Sequence, residues 1–262
     1  MATSAAEVRD GQVLIGRVFS RAFSTVSANP LVTLTVAFII GAIPSTAASF
    51  FITRTMFVAE EETGIFLAMG ALGWIVSLAI IMLTQAALTR VTVMYAHGQE
   101  ASLGECLRAG MAVLPQLMIL ALLIGIAVGI GMVFLIVPGV ILYCIWAVAT
   151  PAVVEERSGI LGSLGRSRQL TKGFRWRVFG ISLILVVLYY LLLAVLTAVD
   201  AEAITGLAMM QGDTLPLSFF IYTAALSTLT NLVWGTVQAS LFVELREAKE
   251  GAQHGQLEHV FA

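Results

Sequence analysis

Two adjacent carboxylates, Glu155 and Glu156, are followed by six cations with no acid between them: Arg157, Arg166, Arg168, Lys172, Arg175 and Arg177. Guanidinium forks and ammonium groups recognise phosphate oxygens through charge-assisted hydrogen bonds. At the edge of a long apolar run such cations lie at headgroup depth, where each is worth roughly 1 kcal/mol against an anionic leaflet. Arg166, Arg168, Lys172, Arg175 and Arg177 are therefore candidates for a lipid-phosphate site. The competing explanation is that they fix the orientation of the chain in a membrane and touch headgroups only in general. The carboxylate of Glu155 ends an apolar run, a costly place unless it is hydrated or paired. Arg166 or Arg177 is the expected partner for one member of the Glu155–Glu156 pair.

A second polar constellation lies in the last apolar run. Thr223, Ser227, Thr230, Asn231, Trp234 and Gln238 recur at helical spacing along one face. Polar groups in lipid must find partners, so this face turns inward. It either lines a hydrated cavity or bonds to neighbouring helices, with Gln85, Ser45, Thr46 and Ser49 as natural partners. Gly125 and Gly129 form a GxxxG pattern that permits close helix contact.

Other chemistry is missing. No charge lies in the middle of an apolar run, which argues against proton relays and buried ion coupling. There is no HExxH, GxSxG or P-loop pattern. His97, His254 and His259 form no ligand-spaced cluster, and Cys106 and Cys144 make neither an expected disulfide nor a metal site. The reading is a non-enzymatic protein with no metal and no cofactor.

The elements that would position these residues follow from the composition. The 262 residues are 59% apolar and 11% charged, with mean hydropathy +0.95; soluble domains carry about 25% charged residues. A span needs about 20 apolar residues. The runs predict an all-α membrane protein with six transmembrane helices in three hairpins, at about 31–52, 65–89, 114–136, 139–154, 178–199 and 217–243. The run from Val113 to Val154 carries no charge and must fold back, with Val137-Pro138-Gly139 as the natural break. Residues 1–29 form a cytoplasmic interfacial segment with no pattern of a secretory signal, 30–248 the membrane domain and 249–262 a cytoplasmic tail. Thirteen of the fourteen Lys and Arg residues fall in alternate gaps, and only Arg54 joins Glu60, Glu61, Glu62, Asp200, Glu202 and Asp213 on the other side. Both termini are then cytoplasmic. Dispersed between apolar runs, these cations give no footprint for nucleic acid.

Each hairpin is preceded by a similar stretch: Leu14–Phe19, Ser102–Leu107 and Ile160–Gly165, each with a Gly among apolar residues. They predict short amphipathic interfacial helices and a threefold internal pattern. The third is expected as a helix over 159–171, with Ile160, Leu161, Leu164 and Leu170 toward lipid and Gly173 as its stop.

Two groups of landmarks carry a family likeness. One is Val137-Pro138-Gly139, Trp146, Pro151 to Glu155, Arg166-Ser167, Leu170 to Gly173 and Arg175-Trp176-Arg177; the other is Glu244-Leu245-Arg246 with Lys249-Glu250-Gly251. In these the chain resembles the membrane-domain family of glycerophosphoryl diester phosphodiesterases, which includes free-standing six-span bacterial inner-membrane proteins. The resemblance implies a multi-pass protein of the bacterial inner membrane. It does not bring the hydrolytic activity, because the acidic and histidine residues of that reaction have no counterpart here. Glu155, Arg166, Ser167, Gly173 and Arg175 carry over as landmarks only. The tail departs from the pattern, with Leu241-Phe242-Val243 where the family usually has an aromatic pair.

The functional expectation is a non-enzymatic polytopic membrane protein. It would engage anionic phospholipid through the basic segment and also a membrane-protein partner or a second copy of itself. The alternatives are a transporter for a small or lipid-derived solute along the polar face of the sixth span, and a structural subunit of a membrane complex.

Overall fold

A computed structural model describes residues 13–58, 63–199 and 217–261, and their side chains apart from those within 51–67 and 252–261. Among the described residues every regular element is helical. Helix α1 spans Ile15–Ala28. Helix α2, Pro30–Thr35, runs through a π-helical stretch, Val36–Ala42, into α3, Ile43–Val58. Then follow α4 (Thr63–Ala96), α5 (Leu103–Phe134), α6 (Ile136–Trp146), α7 (Ala149–Glu156), α8 (Gly159–Thr171), α9 (Arg175–Val199) and α10 (Leu217–Phe261).

Six stretches are long and apolar enough to cross a membrane: Pro30–Phe50, Ala68–Ala96, Leu103–Phe134, Ile136–Glu156, Arg175–Val199 and Leu217–Gly251. In hydrocarbon the backbone must satisfy its own hydrogen bonds, which leaves the helix as the form these runs can take. Large apolar side chains such as Leu122, Ile126, Ile130, Val187 and Leu191 remain on the outside. In water this would be an aggregation surface; on helices of this length it is a lipid-facing one. The chain is a multi-pass membrane protein.

Local chemistry sets the ends. Pro30 opens α2, where its missing N–H would have had no helical partner. Arg157 closes α7 in the left-handed region at φ 47°, its N–H bonded to the Val153 carbonyl. Gly173, at φ 93°, turns the chain from α8 into α9, as expected of a stop at that position.

Several expectations need correction. The third and fourth apolar helices part at Leu135, which is extended, and not at Pro138. Pro138 instead lies in the first turn of α6, where it removes a donor that would have been unpaired. Residues 103–107 are not a separate interfacial helix but the first turns of α5. Helix α10 continues unbroken past residue 249, so the stretch expected as the tail prolongs the last helix. Arg9, Glu60, Glu61, Glu62, Asp200, Glu202, Asp213 and the side chain of Arg54 lie outside the described residues.

The core gathers toward the charged ends of the helices. Val18 and Ala22 of α1 pack with Val148 and Ala152, with Leu170 of α8, Val178 and Ile181 of α9, and Phe242 and Leu245 of α10. Leu170 is thus buried, and Ile160 and Leu164 pack against Val113, Leu117 and Val153. Of the α8 side chains expected toward lipid, Leu161 alone is freely exposed, at 80%. Helix α8 docks onto the bundle because α7 and α10 offer both an apolar surface and carboxylates for its cations.

Candidate functional site

The basic segment is built on an interruption in the fourth apolar stretch. At Ala147–Val148 the helix breaks between α6 and α7, which leaves the carbonyl of Ile145 without a helical partner. Two hydroxyls from α8 supply it. Ser167 Oγ donates at 2.8 Å and Thr171 Oγ1 at 3.2 Å. The one Thr171 hydroxyl proton is shared with the Ser167 carbonyl of its own helix, 2.9 Å away. Helix α8 is thereby fastened against the break.

This docking divides the expected phosphate-binding cations into two sets. Arg166 is taken up by protein: its Nε donates to Glu156 at 2.8 Å and its Nη2 to Glu250, which also accepts from Arg246 at 3.0 Å. Partial burial disfavours the charge of Arg166, but Glu156 and Glu250 outweigh it and raise the guanidinium above its ordinary pKa. Arg177 donates to the Val13 carbonyl at 2.8 Å and lies over the Phe174 ring, which Lys249 also approaches at 5.5 Å. Neither guanidinium is free to receive a phosphate without giving up these contacts. Arg168, Lys172 and Arg175 form the other set. All three are exposed, and among the described residues no ion pair engages them.

Arg175 lines an apolar groove of about 520 Å³ between α6 and the start of α9. Ile136, Val137, Val140 and Ile141 form one wall; Trp176 and Phe179 form the other. Trp176 is 85% exposed, an amphipathic ring beside the guanidinium as found where headgroups meet hydrocarbon. A cation on the lining of an otherwise apolar groove matches a ligand with a charged head and an apolar chain.

Both members of the Glu155–Glu156 pair are in ion pairs, one of them with Arg166 as expected, and Glu155 with a cation from another helix. Its partner is Arg90 of α4 at 3.0 Å, not Arg166 or Arg177, while Arg90 also reaches Glu105 at 3.3 Å. The expected Arg166 contact is made by Glu156. A further cluster was not foreseen: Glu244, almost wholly buried, lies 3.1 Å from Arg17 and 3.0 Å from Arg21, and Arg21 also holds Glu247 at 2.8 Å. No spacing rule joins residues so distant in sequence. The only prior sign was a carboxylate at the end of a long apolar run.

The polar face of α10 meets other helices. The π-helical stretch brings Gly41 against α4 and α10: a methyl there would stand 2.9 Å from Asn231 Nδ2 and 3.1 Å from Thr84 Cγ2. Gln85 lies against Gly235 in the same way, its Oε1 3.2 Å from where a Cβ would be. Gln238 and Ser182 interact with the Tyr143 hydroxyl. Thr223 and Ser227 are half-buried further along the helix. Thr230 and Trp234 border a groove of about 210 Å³ between α9 and α10 whose other walls include Leu185, Leu188, Leu192 and Leu229. Gly125 and Gly129 meet no packed neighbour; the close glycine contact is between Gly131 and Gly139, where a Cβ on Gly131 would come 2.9 Å from Gly139 Cα.

No protein-family model matches this chain, and no solved structure matches it. The landmark residues of the family likeness nevertheless have structural work to do: Ser167 caps the broken helix, Gly173 turns the chain, and Glu155 and Arg166 are in ion pairs.

Proposed function

We propose that this protein engages anionic phospholipid on the cytoplasmic face of a bacterial inner membrane, without catalysing a reaction. Arg168, Lys172 and Arg175 receive the headgroup phosphate. The groove beside Arg175 receives an acyl chain. The observation that carries the reading is the unequal fate of the cations: Arg166 and Arg177 are consumed by protein partners, while these three stay exposed around an apolar slot. The alternate-gap charge pattern supports the orientation, since cationic loops remain on the cytoplasmic side.

The test is native mass spectrometry of the protein released from mixed phosphatidylglycerol and phosphatidylcholine. The wild-type chain should retain phosphatidylglycerol selectively. The variant R168Q/K172Q/R175Q should lose that selectivity. Equal retention by both proteins would remove the site. Phosphatidylglycerol selectivity that inorganic phosphate abolishes would show that the phosphate alone is recognised and that the groove contributes nothing.

A further inference from the structure

The two arms of the α5–α6 hairpin are joined by a single extended residue, Leu135. Val133, Phe134, Leu135, Ile136 and Val137 are between 64% and 86% exposed. From Leu117 to Leu142 no side chain carries a polar atom. The segments following the first and fifth apolar runs are different, with Arg54 and Glu60 to Glu62 in one and Asp200, Glu202 and Asp213 in the other. A turn meant for the outer aqueous phase would have no reason to be wholly apolar.

The packing places this turn in depth. Tyr143 of α6 interacts with Ser182 of α9 and Gln238 of α10. From Tyr143 to Leu135 the helix can rise by at most about 12 Å. From Ser182 the end of α9 at Val199 is about 26 Å away, and from Gln238 the start of α10 at Leu217 is about 32 Å away. The turn falls short of both ends by about 14 Å or more. The groove narrows this further. Ile136 and Val137, next to the turn, share it with Arg175, Trp176 and Phe179 at the charged beginning of α9, not with residues further along that helix.

We propose that α5 and α6 form a hairpin that enters the bilayer from the charged face and turns back within it, its tip seated among lipid acyl chains. Helices α2–α3, α4, α9 and α10 then supply the four complete crossings. The length and apolarity of α5, and of Ile136–Glu156 taken as a whole, would suffice for a crossing, so it is the depth of the turn that argues against one; α6 itself has 11 residues before the break, about 16 Å of helix. Non-helical backbone at the turn is confined to one residue, Leu135, whose N–H is bonded to the Gly131 carbonyl, and Pro138 removes one of the four donors that the first turn of α6 leaves open. The charge pattern is blind to the difference. A hairpin that crosses twice and one that turns back both return the chain to its starting side. The inference does not depend on a headgroup site at Arg175.

The test uses single-cysteine variants of the full chain with Cys106 and Cys144 replaced by alanine, in native membranes and in phosphatidylglycerol–phosphatidylcholine vesicles. Val133→Cys and Phe134→Cys probe the tip at exposed positions; Glu61→Cys and Lys172→Cys report the two aqueous sides. A membrane-impermeant maleimide should label Glu61→Cys from one side and Lys172→Cys from the other. It should label neither tip variant until detergent is added. Spin labels at both tip positions should show high oxygen and low nickel-complex accessibility, at a depth between the bilayer centre and the Lys172 side. Labelling of either tip variant from either side, or a spin-label depth at the Glu61 side, would overturn the proposal.

Discussion

The buried carboxylate of Glu244 on α10 and the guanidinium of Arg21 on α1 meet at 3.0 Å, with Arg17 at 3.1 Å from the other oxygen. This contact fastens the first helix onto the last. Removing one partner of a fully buried pair costs about 3–5 kcal/mol. Arg21 and Arg17 keep 23% and 39% of their side chains exposed, so water offsets part of that cost. Glu244→Ala should lower stability by about 2 kcal/mol, because Arg17 loses its counter-charge and Arg21 keeps only the exposed Glu247. Glu247, with a side chain 53% exposed against the same Arg21, should cost about 0.5 kcal/mol or less when changed to Ala. Thermal unfolding of both variants in mild detergent checks this; equal losses would mean that burial of Glu244 is not what matters.

Arg166 and Arg168 stand two residues apart on α8 and should respond oppositely. Arg166 holds Glu156 and Glu250 together, so Arg166→Gln should lower the melting temperature. Arg168→Gln should leave it unchanged, since the side chain is exposed and free of ion pairs among the described residues. In lipid retention the order reverses. Losing Arg168, Lys172 and Arg175 removes about 3 kcal/mol of attraction to anionic headgroups, roughly a hundredfold in preference for phosphatidylglycerol over phosphatidylcholine. Native mass spectrometry of the protein released from mixed-lipid nanodiscs measures that loss, and raised salt during equilibration should reduce the difference between the proteins.

The glycines of the α5–α6 hairpin also divide. A Cβ on Gly139 would stand 2.5 Å from Met132 Cγ and 2.8 Å from the Met132 backbone nitrogen. The side chain can move, but the backbone cannot do so without opening the hairpin. Gly139→Ala should therefore cost about 1–3 kcal/mol, the range for overpacking. Gly129→Ala, with nothing within 4 Å, should be neutral within about 0.5 kcal/mol. Chemical denaturation in detergent distinguishes them. A loss at Gly129 equal to that at Gly139 would show that the GxxxG face is packed against something after all.

Much of the helical frame was legible in the sequence because apolar run length is a local property. Gly173 was legible for the same reason: a glycine after an amphipathic stretch and before a new apolar run is a helix stop. What failed was whatever depended on the partner. Pro138 looked like a break, yet a proline is compatible with the first turn of a helix, so its presence did not decide between ending α5 and beginning α6. Leu170 looked lipid-facing because periodicity gives a face but not what the face meets. The Glu155–Arg90 and Glu244–Arg21 pairs join residues from different helices, and no spacing within one helix announces them. Among the five candidate phosphate cations, the separation of Arg166 and Arg177 from the rest depended on Glu250 and Val13, both remote in the chain.

The cap on the broken fourth apolar stretch gives the sharpest test of how α8 is held. The Ile145 carbonyl accepts from Ser167 at 2.8 Å and from Thr171 at 3.2 Å. Ser167 alone satisfies it, and Thr171, whose one proton is shared with the Ser167 carbonyl at 2.9 Å, can turn it to Ile145 when Ser167 is lost. Ser167→Ala should cost about 1 kcal/mol or less, since Thr171 stays in place. Thr171→Val should cost a similar amount, because Ser167 remains and the residue keeps its shape. The double variant leaves a partly buried carbonyl with no side-chain donor, a penalty of about 1 kcal/mol or more beyond the single losses. The two substitutions should therefore be non-additive, with the double variant worse than the sum. A double-mutant cycle on unfolding in detergent measures this coupling. Because α8 carries Arg168 and leads to Arg175, the double variant should also lose phosphatidylglycerol selectivity with every cation still present. Strict additivity would mean that another donor, such as water, reaches Ile145 when both hydroxyls are gone.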